Sequence, residues 1–87
     1  MENICLICGF NELYDPPYDE KGGASDEICP CCGFHFGFDD DDVQDKKVVY
    51  EQWRGKWLQN GSQWFSKSRK PNENWNVEQQ LNKINNL

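Results

Sequence analysis

One seven-residue word occurs twice in this chain. Ile4-Cys5-Leu6-Ile7-Cys8-Gly9-Phe10 and Ile28-Cys29-Pro30-Cys31-Cys32-Gly33-Phe34 both read I-C-x-x-C-G-F. Each C-x2-C turn sets two sulfurs on one side of a tight loop. The glycine after the second cysteine lets the backbone bend so that amide N–H groups point at those sulfurs. Two such knuckles facing each other make a closed four-thiolate tetrahedron, so the spacing points to a metal held by Cys5, Cys8, Cys29 and Cys32. A closed shell of four protein ligands leaves no position for water or substrate, which marks a structural rather than a catalytic site. Zinc is the expected occupant. Iron is the alternative, because tetrahedral sulfur suits both.

Length makes such a staple necessary. With 87 residues the chain has little apolar area to bury against the entropy of ordering it, and it is expected to form one domain over residues 1–87. A disulfide framework fits less well, because the five cysteines are odd in number and four of them fall in tight pairs. Met1-Glu2-Asn3 offers no basic leader, the apolar run Ile4–Ile7 is too short for a signal peptide, and nothing approaches the roughly 20 apolar residues of a membrane span. The expectation is a cytoplasmic protein with reduced thiols and no membrane partner.

Cys32 is the better fourth ligand, since it alone completes both the spacing from Cys29 and the following glycine. Cys31 is then a fifth thiol on the knuckle, read either as a redox-responsive group or as a small buried residue at a tight turn. His35 is the only histidine, and four thiolates already fill the shell.

Charge divides the chain unevenly. Twelve acidic residues stand against one lysine up to Asp45, and eight basic residues against three acidic ones follow it. The two halves are expected to pack together with their charges solvated around the contact. The run Asp39-Asp40-Asp41-Asp42 lacks the spacing of a calcium loop and reads as a solvated segment leading into a helix.

Residues 3–38 form the metal-binding half, with Pro16-Pro17 and Gly22-Gly23 breaking the loop between knuckles. Phe34, Phe36 and Phe38 alternate with His35 and Gly37, a strand pattern. Residues 39–87 form a helical, tryptophan-rich half. Asp42 or Asp45 caps a first helix whose apolar residues are Val49, Trp53 and Trp57, beside the row Tyr50, Arg54 and Leu58; Asn60-Gly61 ends it. Asn76 caps a second helix, with Gln79 in capping-box position and Val77, Leu81 and Ile84 on one face. Neither helix is long enough to stand alone.

The four tryptophans, Trp53, Trp57, Trp64 and Trp75, are expected to build the core. The alternative reading interleaves Trp64 and Phe65 with the Lys67–Lys70 patch as a platform for single-stranded nucleic acid. No nucleophile and base stand at a recognisable spacing, and Gly22-Gly23 lacks the lysine of a phosphate loop, so a non-enzymatic role is expected.

The two knuckles resemble those of rubredoxin and zinc-ribbon proteins, including Pro30 after the third ligand. The longer pattern, with C-P-C-C-G-F at Cys29–Phe34, Pro16-Pro17-Tyr18, Trp64-Phe65-Ser66 and Trp75-Asn76, resembles the cysteine-rich CPCC family of small bacterial proteins. The resemblance implies metal at Cys5, Cys8, Cys29 and Cys32 and an origin in a bacterium or its phage, but no activity. The fold expected is small, α+β and metal-stabilised: a zinc-ribbon or rubredoxin-like β core with two short C-terminal helices packed on it. The function expected is a zinc-binding interaction module whose partner is another protein; a rubredoxin-like iron electron carrier is the alternative.

Overall fold

Asp45 begins the first regular element. Its backbone is extended and its carboxylate accepts from Lys47 N–H at 3.0 Å, satisfying one of the donors a helix leaves orphaned at its start. The helix α1 then runs over Lys46–Gln59. It ends as its sequence requires: Asn60, Gly61 and Ser62 N–H groups return to the carbonyls of Lys56, Leu58 and Trp57. The second helix, α2, spans Val77–Asn85, and Asn76 Oδ1 accepts from Gln79 N–H at 3.0 Å as its cap. The computed structural model describes residues 3–41 and 43–85. Asp42, the other candidate cap and the last residue of the acidic run, lies outside the described residues, as do Met1 and Glu2.

The expected β core is not there. Among the described residues there is no sheet, only isolated bridges pairing Asn3 with Glu12, Tyr18 with Ala24 and Ile28 with His35. Each knuckle closes on itself instead: Cys5 N–H donates to Phe10 carbonyl and Gly9 N–H to Cys5 carbonyl, and Cys29, Phe34 and Gly33 repeat both bonds. Those bonds consume groups that a ladder would need.

The Phe34–Phe38 strand fails for a related reason. Phe34 and Phe36 are fully buried, but Phe38 is 70% exposed. Gly37 turns the chain at φ +91°, while Asp39 accepts from His35 N–H and Asp40 from Gly37 N–H. Carboxylates that hydrogen-bond nearby backbone offer it an alternative to the sheet.

The core joins knuckles and helices. The four knuckle cysteines, Ile7, Phe10, Phe34 and Phe36 pack with Tyr50 and Trp57 of α1, while Trp53, Trp64, Trp75, Val77 and Leu81 lie against them, half-buried. Phe34 is the hub: Phe36, Tyr50 and Trp53 all meet its ring within 5.5 Å. Leu58, on the row with Tyr50 and Arg54, is exposed although Trp57 beside it belongs to the core.

Asp40 departs from its expected solvated role. It is fully buried, with Oδ2 accepting from Tyr18 OH at 2.5 Å and Tyr50 OH at 2.9 Å, and Oδ1 from Gly37 N–H at 2.7 Å. Burial alone would raise its pKa, but these bonds, led by Tyr18, together with Lys46, outweigh it and hold the carboxyl below the usual range. Burial and then the Asp40 contact push the Tyr18 phenol up to about 12.

Two signs follow. The Asp40 contribution to stability is present above the unfolded carboxyl value of about 4 and disappears as pH falls through the lowered folded value. The Tyr18 contribution is complete below the unfolded value of about 10 and is lost as pH rises through about 12. Tyr50, whose phenol burial and then Asp40 push up further still, adds a loss of the same sign, so urea midpoints should fall in strong alkali for the wild type and Tyr18→Phe should shrink that step without abolishing it. Asp40→Asn should cost about 2 kcal/mol at neutral pH and converge on the wild type in acid. An unchanged neutral midpoint for Asp40→Asn would show that this buried carboxylate contributes nothing.

Candidate metal centre

The two knuckles bring the four predicted cysteines together. Cys5, Cys8, Cys29 and Cys32 place their Sγ atoms within 4.8 Å of one another, the first three fully buried and Cys32 6% exposed. Cys5 and Cys32 sulfurs are 3.8 Å apart, and those of Cys8 and Cys29 are 3.7 Å apart. A tetrahedron with metal–sulfur bonds of about 2.3 Å has edges of about 3.8 Å. The donor set therefore fits a four-coordinate metal ion in both chemistry and size. These four cysteines could hold a metal; the identity of that metal is a separate matter.

Hydrogen bonds among the sulfurs share protons unevenly. The hydrogen bond from Cys32 foremost holds the Cys29 thiol well below its ordinary value, and the contact with Cys29 foremost drives Cys8 and Cys32 well above theirs. A metal would displace the remaining protons. One amide points inward as the knuckle geometry requires, with Ile7 N–H on Cys5 Sγ at 3.4 Å.

The C-terminal half closes over both knuckles in matched fashion. In the first, Arg54 donates to the carbonyls of Leu6 (3.0 Å) and Ile7 (2.5 Å), and Gln80 Nε2 to that of Cys8 (3.0 Å). In the second, Ser66 N–H, Phe65 N–H and Trp53 Nε1 donate to the carbonyls of Pro30 (2.8 Å), Cys31 (3.0 Å) and Cys32 (3.0 Å). The same three positions of each repeated word are thus capped from outside it. Left alone, those of the buried residues, all but the half-buried Leu6, would each cost free energy.

Gly9 and Gly33 are required for the same closure. Both have left-handed backbones, at φ +86° and +80°. A Cβ on Gly9 would strike the Gln80 backbone carbonyl, and one on Gly33 would lie 2.6 Å from Phe65 Cδ1.

Cys31 stands outside the four. It is fully buried and its Sγ accepts from Gln80 Nε2 at 3.3 Å. His35 is also apart, stacked on Phe38 with ring centroids 5.3 Å away and Nε2 3.9 Å from Asp26.

Gln80 and the carbonyl-capping role of Arg54 were missed by sequence reasoning, although a signal existed. Gln80 falls at the fourth position of the series Val77, Leu81, Ile84, a polar side chain on the apolar face of α2. Its Oε1 also accepts from Trp75 Nε1 at 2.8 Å, so the amide is satisfied at both ends.

Of the residues proposed for nucleic acid, Phe65, Lys67 and Lys70 are exposed, while Trp64 and Arg69 are engaged within the fold. Trp64 sits edge-on to Phe10 and Trp75, with its Nε1 on the Arg69 carbonyl. Arg69 lies over the Tyr14 ring at 4.2 Å, bonds the Glu12 carbonyl and pairs with Glu27 at 3.7 Å. Lys46 and Arg54, by contrast, reach the first half through carbonyls, those of Asp40, Leu6 and Ile7.

The site thus defines a chain with a buried four-cysteine centre able to take a metal. Comparison with known proteins adds two relatives. The chain is similar to two proteins of Bacillus subtilis (strain 168): "Uncharacterized protein YoaQ", 37% identical over 68 residues, and "Uncharacterized protein YozI", 33% identical over 69 residues. Each match covers 66% of this chain, and 58% and 57% respectively of the relatives, so the chain spans under three-fifths of their length. No family model matches the chain, so membership of the cysteine-rich CPCC family is not established. No solved structure matches it. Among the described residues no helix is long and apolar enough to cross a membrane.

Proposed function

We propose that Cys5, Cys8, Cys29 and Cys32 hold one zinc ion as a structural centre, and that the chain acts as a non-enzymatic interaction module built around it. The observation that carries this reading is the pair of sulfur–sulfur distances, 3.7 and 3.8 Å, in a site where three sulfur-bearing residues are fully buried and Cys32 is 6% exposed. Four thiolates complete a tetrahedral shell, so a bound ion would have no position left for substrate; its chemistry would be to neutralise and cross-link the knuckles. Large side chains left outside, Phe38 at 70% and Phe65 at 58% exposure, are the kind of surface a protein partner covers.

Elemental analysis of the purified protein tests the metal. One zinc per chain and a colourless solution are expected. A red protein carrying iron, bleached reversibly by reductant, would overturn the zinc assignment in favour of one-electron transfer.

A further inference from the structure

A cleft of about 410 Å³ lies between the C-terminal end of α1 and residues 63–65. Of the four cysteines of the metal centre, Cys32 alone borders it. Its size falls within the range of small-ligand sites, about 300–1,000 Å³.

Its walls are aromatic: Trp53, Trp57, Trp64 and Phe65. Every indole N–H among them is already spent, on the carbonyls of Cys32, Gln63 and Arg69 in turn. The indoles therefore offer ring surface and no donors. The carbonyls of Lys56, Trp57 and Leu58 at the end of α1 are likewise taken by the Asn60, Ser62 and Gly61 amides.

What remains for polar recognition is Lys56 with the carboxamides of Asn60 and Gln63. Lys56 makes no ion pair with any described residue, and no acidic residue lines the cleft, although acids outnumber bases fifteen to nine in the chain. An unpaired cation beside π surfaces selects an anion over a cation, and flat ring walls suit a flat ligand.

We propose that this cleft binds a planar aromatic anion, an aryl carboxylate or sulfonate, with its ring among Trp53, Trp64 and Phe65 and its charge on Lys56. The site stands whether the metal is zinc or iron.

Tryptophan fluorescence of the full, metal-loaded chain reads the binding directly, since three of its four tryptophans line the cleft. Naphthoate should quench it saturably, and uncharged naphthamide should bind at least about tenfold more weakly. Lys56→Gln should raise the naphthoate Kd about tenfold and leave naphthamide unchanged, while Lys47→Gln, on the same helix outside the cleft, should change neither. Naphthamide binding as tightly as naphthoate, or an unaffected Lys56→Gln, would overturn the proposal. So would an oligothymidylate that quenches where naphthoate does not, which would make the cleft a nucleic-acid site.

Discussion

Cys8→Ser and Cys29→Ser are each expected to leave the chain without a stable tertiary structure, and stripping metal from the wild type with a strong chelator should do the same. Both cysteines are fully buried in the sulfur cluster that links residues 5–10 to residues 29–34. Among the described residues there is no sheet to hold those segments together in its place, only isolated bridges. α1 and α2 have 14 and 9 residues, which is marginal for a helix without tertiary support. A structural zinc supplies about 10–16 kcal/mol of apparent binding energy, comparable to the whole stability of a small domain at about 5–15 kcal/mol. The near-ultraviolet circular dichroism of the tryptophans should collapse in each case. Cys31→Ser is the internal control: its sulfur lies outside the four, so one metal per chain should be retained with a loss of about 1 kcal/mol. A Cys8→Ser protein that kept wild-type tertiary signals and its urea midpoint would refute a structural role for the cluster.

Gln80→Ala is expected to cost about 3 kcal/mol, a large effect for one residue that is no metal ligand. The side chain is 7% exposed and spans three partners: Cys8 carbonyl, Cys31 Sγ and Trp75 Nε1. Truncation orphans a buried carbonyl and an indole N–H, each worth about 1–3 kcal/mol. It also frees α2 from the first knuckle, so a chelator should remove metal from the variant at about tenfold lower concentration, the scale on which groups behind metal ligands act. Gln80→Glu distinguishes packing from donation. It keeps the volume and the acceptor for Trp75 but loses the donor to Cys8 and Cys31, so it should be nearly as damaging. Gln80→Ala within about 0.5 kcal/mol of wild type in urea, with unaltered resistance to chelator, would contradict this account.

Both variants bear on how much of the molecule could be read in advance. The ligand set rested on local spacing, and the structure gathers those same four sulfurs. The two helices followed from caps and stop signals that act within a few residues: Asp45, Asn76 and the Asn60-Gly61 turn all sit as their chemistry demands. The β core did not materialise, because Phe34–Phe38 has strand periodicity while the Asp39 and Asp40 carboxylates, three or four residues on, take the N–H groups a ladder would use. Alternation describes which side chains seek a core; it does not say where the backbone hydrogen bonds will go.

The sequence by itself determined the repeated knuckle, the bounds of α1 and the start of α2, because each depends on residues close together along the chain, and it named the four sulfurs that the fold then brings together across 21 and 27 positions. Tertiary structure alone decided what caps the knuckle carbonyls, buried Asp40 between Tyr18 and Tyr50, and set Gln80 against Cys8. Those contacts join residues as far as 72 positions apart, and a polar side chain becomes a core residue only when distant partners arrive to satisfy it.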